Sequence, residues 1–339
     1  MTARRTLAAL ISLFSLFAAA PALAWNCAGH KTIARLAMEG FPSTSPDWLR
    51  DPNTIARVCE QACEPDRWRG TRRQVIAHEL NPEHYLDLED LEPFGLTLNT
   101  IPPLRHEYFR AMVLAKHNHP DRMAPYDSAK DPDKSKEWPG FLPHAIDEHF
   151  ALLQSSFNTV RTLEALGDPA RAAALEQAKA NAIYHMGVLA HYVGDAAQPL
   201  HTTRHHHGWV GPNPEGFTTD NGFHAYIDGT IVEHHKLDAD ALRPAMAYDR
   251  TVDAKRPWQA HLAHIQRSFD AVVPLYSLQR DRLLTGPQGR NLIAARLRDG
   301  SAQLSAYYNV AWEAANPSES DLANFRKFNP VDPTPRPKP

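Results

Sequence analysis

Strand-like alternation of apolar and polar residues is scarce in this 339-residue chain, which turns the expectation away from sheet folds. Beyond residue 24 no run is long and apolar enough to anchor in a bilayer, which needs roughly 20 residues, so no transmembrane anchor is expected. A basic excess is missing too. The net charge is −3, and it becomes −5 when Arg4 and Arg5 are left out. That balance argues against holding duplex DNA mainly by neutralising phosphates. It leaves room for an enzyme that grips phosphates through metal ions. Cysteine is sparse, with only Cys27, Cys59 and Cys63. A disulfide is possible in an exported protein, one thiol must be left over, and the sequence leaves the pairing open. There is no internal repeat.

The first 24 residues read as a secretory signal peptide. Arg4 and Arg5 make a positive start, Leu7 to Ala20 an apolar core, and Ala22-Leu23-Ala24 a small-residue cleavage pattern. The arginine pair reads as an ordinary positive segment rather than a twin-arginine signal. The mature chain then begins at Trp25 and is exported, to the periplasm or the medium. Apolar residues at helical intervals predict helices over His30 to Met38, Pro103 to His117, Ala145 to Leu166, Asp168 to Asp195, His224 to His235, Trp258 to Leu284 and Gln288 to Ala315. The expectation is an all-α, compact multi-helix bundle in one domain, 25–328, with long loops at Asp127 to Pro143 and Trp209 to Asn221. A proline-rich tail, 329–339, follows.

What the chain has in quantity is histidine, 19 of them, all after residue 24. His191 and Asp195 lie four apart in a predicted helix, so imidazole and carboxylate share one face. Pro199 then ends the helix and lets His201 turn back. His224 and Asp228 repeat the spacing. One such pair is more often a surface ion pair than a pair of ligands. Two pairs with His201, beside the apolar Val188, Leu189 and Val193, point to a buried multi-metal site, because buried imidazoles and carboxylates without a cation are costly.

At these residues the chain resembles the single-strand-specific zinc nucleases, a family within the zinc-dependent phospholipase C/nuclease superfamily. The resemblance is carried by Trp25 after the cleavage triplet, His30, Asp66 in Glu-Pro-Asp-Arg-Trp-Arg, His84 in His-Tyr-Leu-Asp, the run His191-Tyr-Val-Gly-Asp195 with Gln198-Pro-Leu-His201, and the pair His224 and Asp228. It implies a helical protein with a trinuclear zinc cleft. One Zn2+ would take Asp66, His84, His191 and Asp195. A second would take the Trp25 amine and carbonyl, His30 and Asp195. The third would take His201, His224 and Asp228. A free α-amine, with a pKa near 8, releases its proton to a metal readily, so the site would form only after the signal peptide is cut.

The implied activity is hydrolysis of phosphodiesters by a zinc-activated hydroxide, with Asp66 orienting it and Arg69 stabilising the transition state. Arg69 also reads as a plain surface arginine beside Arg72 and Arg73. Tyr85 would stack on a base and Asp87 bind its edge, although Tyr85 also reads as a core aromatic. The expected substrates are single-stranded DNA, RNA and 3′-nucleotides, and no stable protein partner is implied. The loop between His201 and His224 departs from the nuclease pattern, which places substrate choice in doubt. The alternatives are a phospholipase C acting on lipid headgroups and a non-catalytic zinc-binding protein. The run His205-His206-His207 is read as a solvated loop, and Trp209, Phe217 and Phe223 as an apolar lip.

Overall fold

The computed structural model describes residues 25–71 and 73–331, and among them there are helices and loops and no strand. The segment expected to be a signal peptide, 1–24, and residues 332–339 of the expected tail lie outside the described residues.

The Ala172–Ala197 helix is the axis of the molecule. Its first half is rich in alanine and adds Leu175, Glu176, Gln177 and Lys179, all strong helix formers. From Met186 to Ala197 every residue is buried, as expected for a helix enclosed on all sides. Leu142–Leu166 packs along it after a short turn, and Cys27–Glu39, Pro52–Gln61, Pro257–Phe269 and Pro287–Ala314 close the remaining sides. One continuous apolar cluster, from Trp25 to Ala315, fills the space between them. Among the described residues no helix is long and apolar enough to cross a membrane.

Departures from the sequence reading have local causes. The helix expected over Trp258 to Leu284 is two, Pro257–Phe269 and Val272–Arg280. Pro274 lacks an N–H and its ring opposes the carbonyl four residues back, so a single helix cannot run through. The short helices Pro52–Gln61, Glu64–Arg69 and Gln74–Leu80 stand where the sequence pattern predicts no helix. Asp51, whose carboxylate accepts from the Thr54 N–H at 3.0 Å, caps the first of these. The final helix, Glu319–Phe328, starts at a capping box of Ser318 and Asp321. A disulfide joins Cys27 to Cys63 and leaves Cys59 half-buried and free. It ties the start of the Cys27–Glu39 helix to the residue before Glu64–Arg69, where Asp66 sits.

Candidate metal centre

Eight histidine and aspartate side chains from separate segments meet beside the end of the axial helix. His30, Asp66 and His191 form one group, His84, His191 and Asp195 a second, and His201, His224 and Asp228 a third. All three can hold metal ions. His191 belongs to two of them, so the first two are one continuous cluster. Asp195 is its hub: one carboxylate oxygen lies 3.4 Å from His30 Nε2, and the other 3.0 Å from His84 Nδ1 and 3.3 Å from His191 Nε2. In the third group His224 Nε2 is 3.1 Å from an Asp228 oxygen.

The backbone positions these rings. Helical spacing places His191 and Asp195 one turn apart, and Gly194 between them makes room for His30, since a Cβ there would stand 2.7 Å from His30 Nδ1. The three-residue turn Pro199–His201 swings His201 back so that its Nδ1 donates to the His84 carbonyl. His224 and Asp228 lie on a helical stretch that widens into a π-turn over Tyr226–Ile231, a distortion frequent at functional sites. There the Asp228 carbonyl accepts the Asn26 N–H at 3.3 Å. The residue after Trp25 is thereby tied to the third group. The Trp25 side chain itself is wholly buried.

The chemistry of this donor set fits cations. His191 Nδ1 donates to the Ala62 carbonyl at 2.8 Å, as His201 Nδ1 does to His84. In their neutral forms both rings therefore turn a lone pair inward. His191 Nε2 faces His84 Nδ1 at 3.0 Å. Both oxygens of Asp66, one each of Asp195 and Asp228, and Nε2 of His30, His84, His201 and His224 are buried without a hydrogen-bond partner. Acceptors converging with so few donors need positive charge among them.

Titration in the metal-free protein reflects the same crowding. Burial, helped by neighbouring histidines, holds His30 well below the usual imidazole range, and burial with Arg69 does so for His84. Burial pushes His201 down to about 3 and Asp195 up to about 6. For His191 burial opposes the charge, but Asp195 and Asp66 outweigh it and raise the pKa.

The cluster opens into a cleft of about 970 Å3 lined by His84, His201, His224, Arg69, Tyr85 and Asp87, among others. Arg69 Nη1 lies 3.6 Å from Asp66, and its Nε donates to Asn81. Tyr85 is half-buried on the cleft wall. Asp87 is buried and faces His206 Nδ1 at 3.7 Å.

Two residues without a role in the sequence reading complete the centre. Gln198 donates to Asp228 at 2.6 Å while its oxygen caps the Leu200 N–H. Glu83 takes the Tyr192 hydroxyl at 2.9 Å and Arg105 at 2.6 Å, which anchors the turn carrying His84. The histidine run is not one solvated loop. His207 is exposed, His206 half-buried and His205 buried, stacked on Trp209 at 3.8 Å, because its Nδ1 accepts the Val210 N–H inside the loop. Phe217 and Phe223 are likewise buried against Tyr276 and form core rather than a lip. No protein-family model matches this chain, and no curated protein does.

Proposed function

We propose that this chain is an exported zinc-dependent phosphodiesterase, an endonuclease and 3′-nucleotidase for single-stranded DNA and RNA, of the single-strand-specific zinc nuclease family. The observation that carries the proposal is the meeting of His30, Asp66, His84, His191, Asp195, His201, His224 and Asp228, all but His191 with at least one buried polar atom left without a hydrogen bond, at the floor of an open cleft. Zinc suits a mixed imidazole and carboxylate set. The three ions would be held as the resemblance implies, with the Trp25 amine and carbonyl completing the ligands around His30 and Asp195.

Bound zinc supplies Lewis acidity toward phosphate oxygens and toward water. The side chains supply the rest. Asp66, whose two oxygens carry no hydrogen bond, accepts a proton from the attacking water and orients it. Arg69, with 20% of its side chain exposed at the cleft, offers N–H groups to the phosphoryl oxygens as charge builds. Tyr85 offers a ring face to a base, a contact tolerant of sequence. A phosphocholine headgroup would want an empty aromatic cage. The aromatic end of this cleft already holds an ammonium, since Lys116 Nζ lies 5.7 Å from the ring centres of both Tyr126 and Trp138.

The test offers mature protein single-stranded DNA, RNA, a 3′-nucleotide and phosphatidylcholine, with and without chelator. Chelator-sensitive cleavage of the nucleic acids is expected. Cleavage of the lipid alone would move the chain to the phospholipase branch. Tight zinc binding with no turnover would make it a non-catalytic zinc protein.

A further inference from the structure

The cleft continues past Tyr85 and Asp87. The segment from Trp138 to Gly140 runs against them. Asp87 donates its N–H to the Pro139 carbonyl at 2.7 Å. Gly140, at φ +113°, lies so close that a Cβ would collide with the Tyr85 carbonyl oxygen, and glycine alone meets both demands. Trp138 is therefore held beside the proposed base site. Its ring centre is 6.3 Å from Phe94, on the same cleft wall, and 5.0 Å edge-on from Phe109 on the helix Arg105–Asn118. It is half-buried and lines the cleft; the Lys116 ammonium covers one side of the ring, 5.7 Å from its centre, which leaves the other side for a base.

Charge follows the same wall. Lys116 is paired with Glu137. Lys136 is exposed on the cleft, has no ion-pair partner among the described residues, and is pinned at its backbone by Asp131, which accepts its N–H at 2.9 Å. It lines the same cleft as Phe94 and Trp138 at one end and His206, His207 and His224 at the other. Lys136 thus links the metal end of the cleft to the aromatic end. A volume of about 970 Å3 is near the top of the range for small-ligand sites, roughly 300–1,000 Å3.

We infer that Trp138, with Phe94 beside it and Lys136 next in the chain but one, forms a second subsite that binds an adjoining nucleotide of a single strand. The base stacks on Trp138 and the phosphate lies against the Lys136 ammonium. This rests on the nuclease reading and adds that the protein prefers a strand to a lone nucleotide. Stacking suits any base, and a lysine meets phosphate as a point charge.

The metal-loaded protein, titrated into fluorescein-labelled dT10 with a phosphorothioate backbone chosen to slow hydrolysis, reads this by anisotropy. Trp138→Ala should weaken dT10 binding about ten-fold and leave binding of thymidine 5′-monophosphate, which the proposed 3′-nucleotidase does not hydrolyse, unchanged. Trp138→Phe should stay within about two-fold of wild type, and Trp138→Leu should behave like the alanine variant, which separates stacking from loss of folding. Lys136→Ala should reduce the slope of log affinity against log salt by about 0.7. Equal losses for dT10 and the mononucleotide, or wild-type dT10 affinity in both Trp138→Ala and Lys136→Ala, would overturn the subsite. So would a wild type that ignores dT10 and binds phosphatidylcholine vesicles. A wild type that binds dT10 with these variant effects but cleaves no nucleic acid would uphold the subsite and overturn the catalytic proposal instead.

Discussion

Asp195→Asn keeps the shape of a wholly buried side chain and removes its charge. In the metal-free protein that charge is a burden. Burial raises the carboxyl to about 6, against about 3.9 for an unfolded chain, a difference of roughly 3 kcal/mol at 1.36 kcal/mol per unit. Because the folded value is the higher one, the group's favourable contribution is complete below about pH 3.9 and is lost as pH rises through about 6. At pH 7.5 the metal-free wild type carries the whole penalty and the asparagine variant does not. The metal-free variant should therefore melt no lower than the metal-free wild type. Zinc reverses the order. Asp195 is the one carboxylate that reaches His30, His84 and His191 together, so its loss weakens two sites. At zinc a hundred-fold above Kd each site contributes about 2.7 kcal/mol, and two sites raise the wild-type Tm by roughly 10 °C. Asp195→Asn should keep only the smaller gain from the His201, His224 and Asp228 group. Scanning calorimetry at pH 7.5, with zinc and with chelator, reads both effects. An equal zinc-dependent gain in the two proteins would refute the reasoning, and so would a metal-free variant melting well below metal-free wild type.

Other expected outcomes concern neighbouring parts of the centre. One extra residue ahead of Trp25 should abolish phosphodiesterase activity, since Trp25 is buried and the Asn26 N–H is spent on the Asp228 carbonyl; full activity in an extended protein would count against the N-terminal ligand. Arg69→Ala should lower kcat about 10²-fold with the melting temperature unchanged, and an unaltered kcat would return Arg69 to the role of a surface arginine. Replacing both Cys27 and Cys63 by serine opens a loop of 36 residues' separation, which in the chain-entropy picture costs about 4 kcal/mol; urea unfolding under non-reducing conditions measures it, and a loss under about 1 kcal/mol would contradict that picture.

Local relations were legible in the sequence and long-range ones were not. The four-residue spacing of His191 and Asp195, and of His224 and Asp228, carries its own geometry through the helix. The long periodic segments, such as Leu142–Leu166 and Pro287–Ala314, could be read for the same reason. The break at Pro274 was written in the chain, but the flanking apolar periodicity obscured it. The pairing of Cys27 with Cys63, the grip of Glu83 on the His84 turn and the burial of His205 depend on segments meeting across many residues. No local spacing encodes them. The π-turn at Asp228 belongs to this class as well, because it forms where the N-terminal segment docks.

The most direct measurement is metal content. Mature protein, exchanged into metal-free buffer and analysed by plasma mass spectrometry, should retain close to three zinc ions per chain. Their removal by chelator should abolish cleavage of single-stranded DNA, and added zinc should restore it. A chain that holds no zinc, or one whose nuclease activity survives its complete removal, would contradict the account.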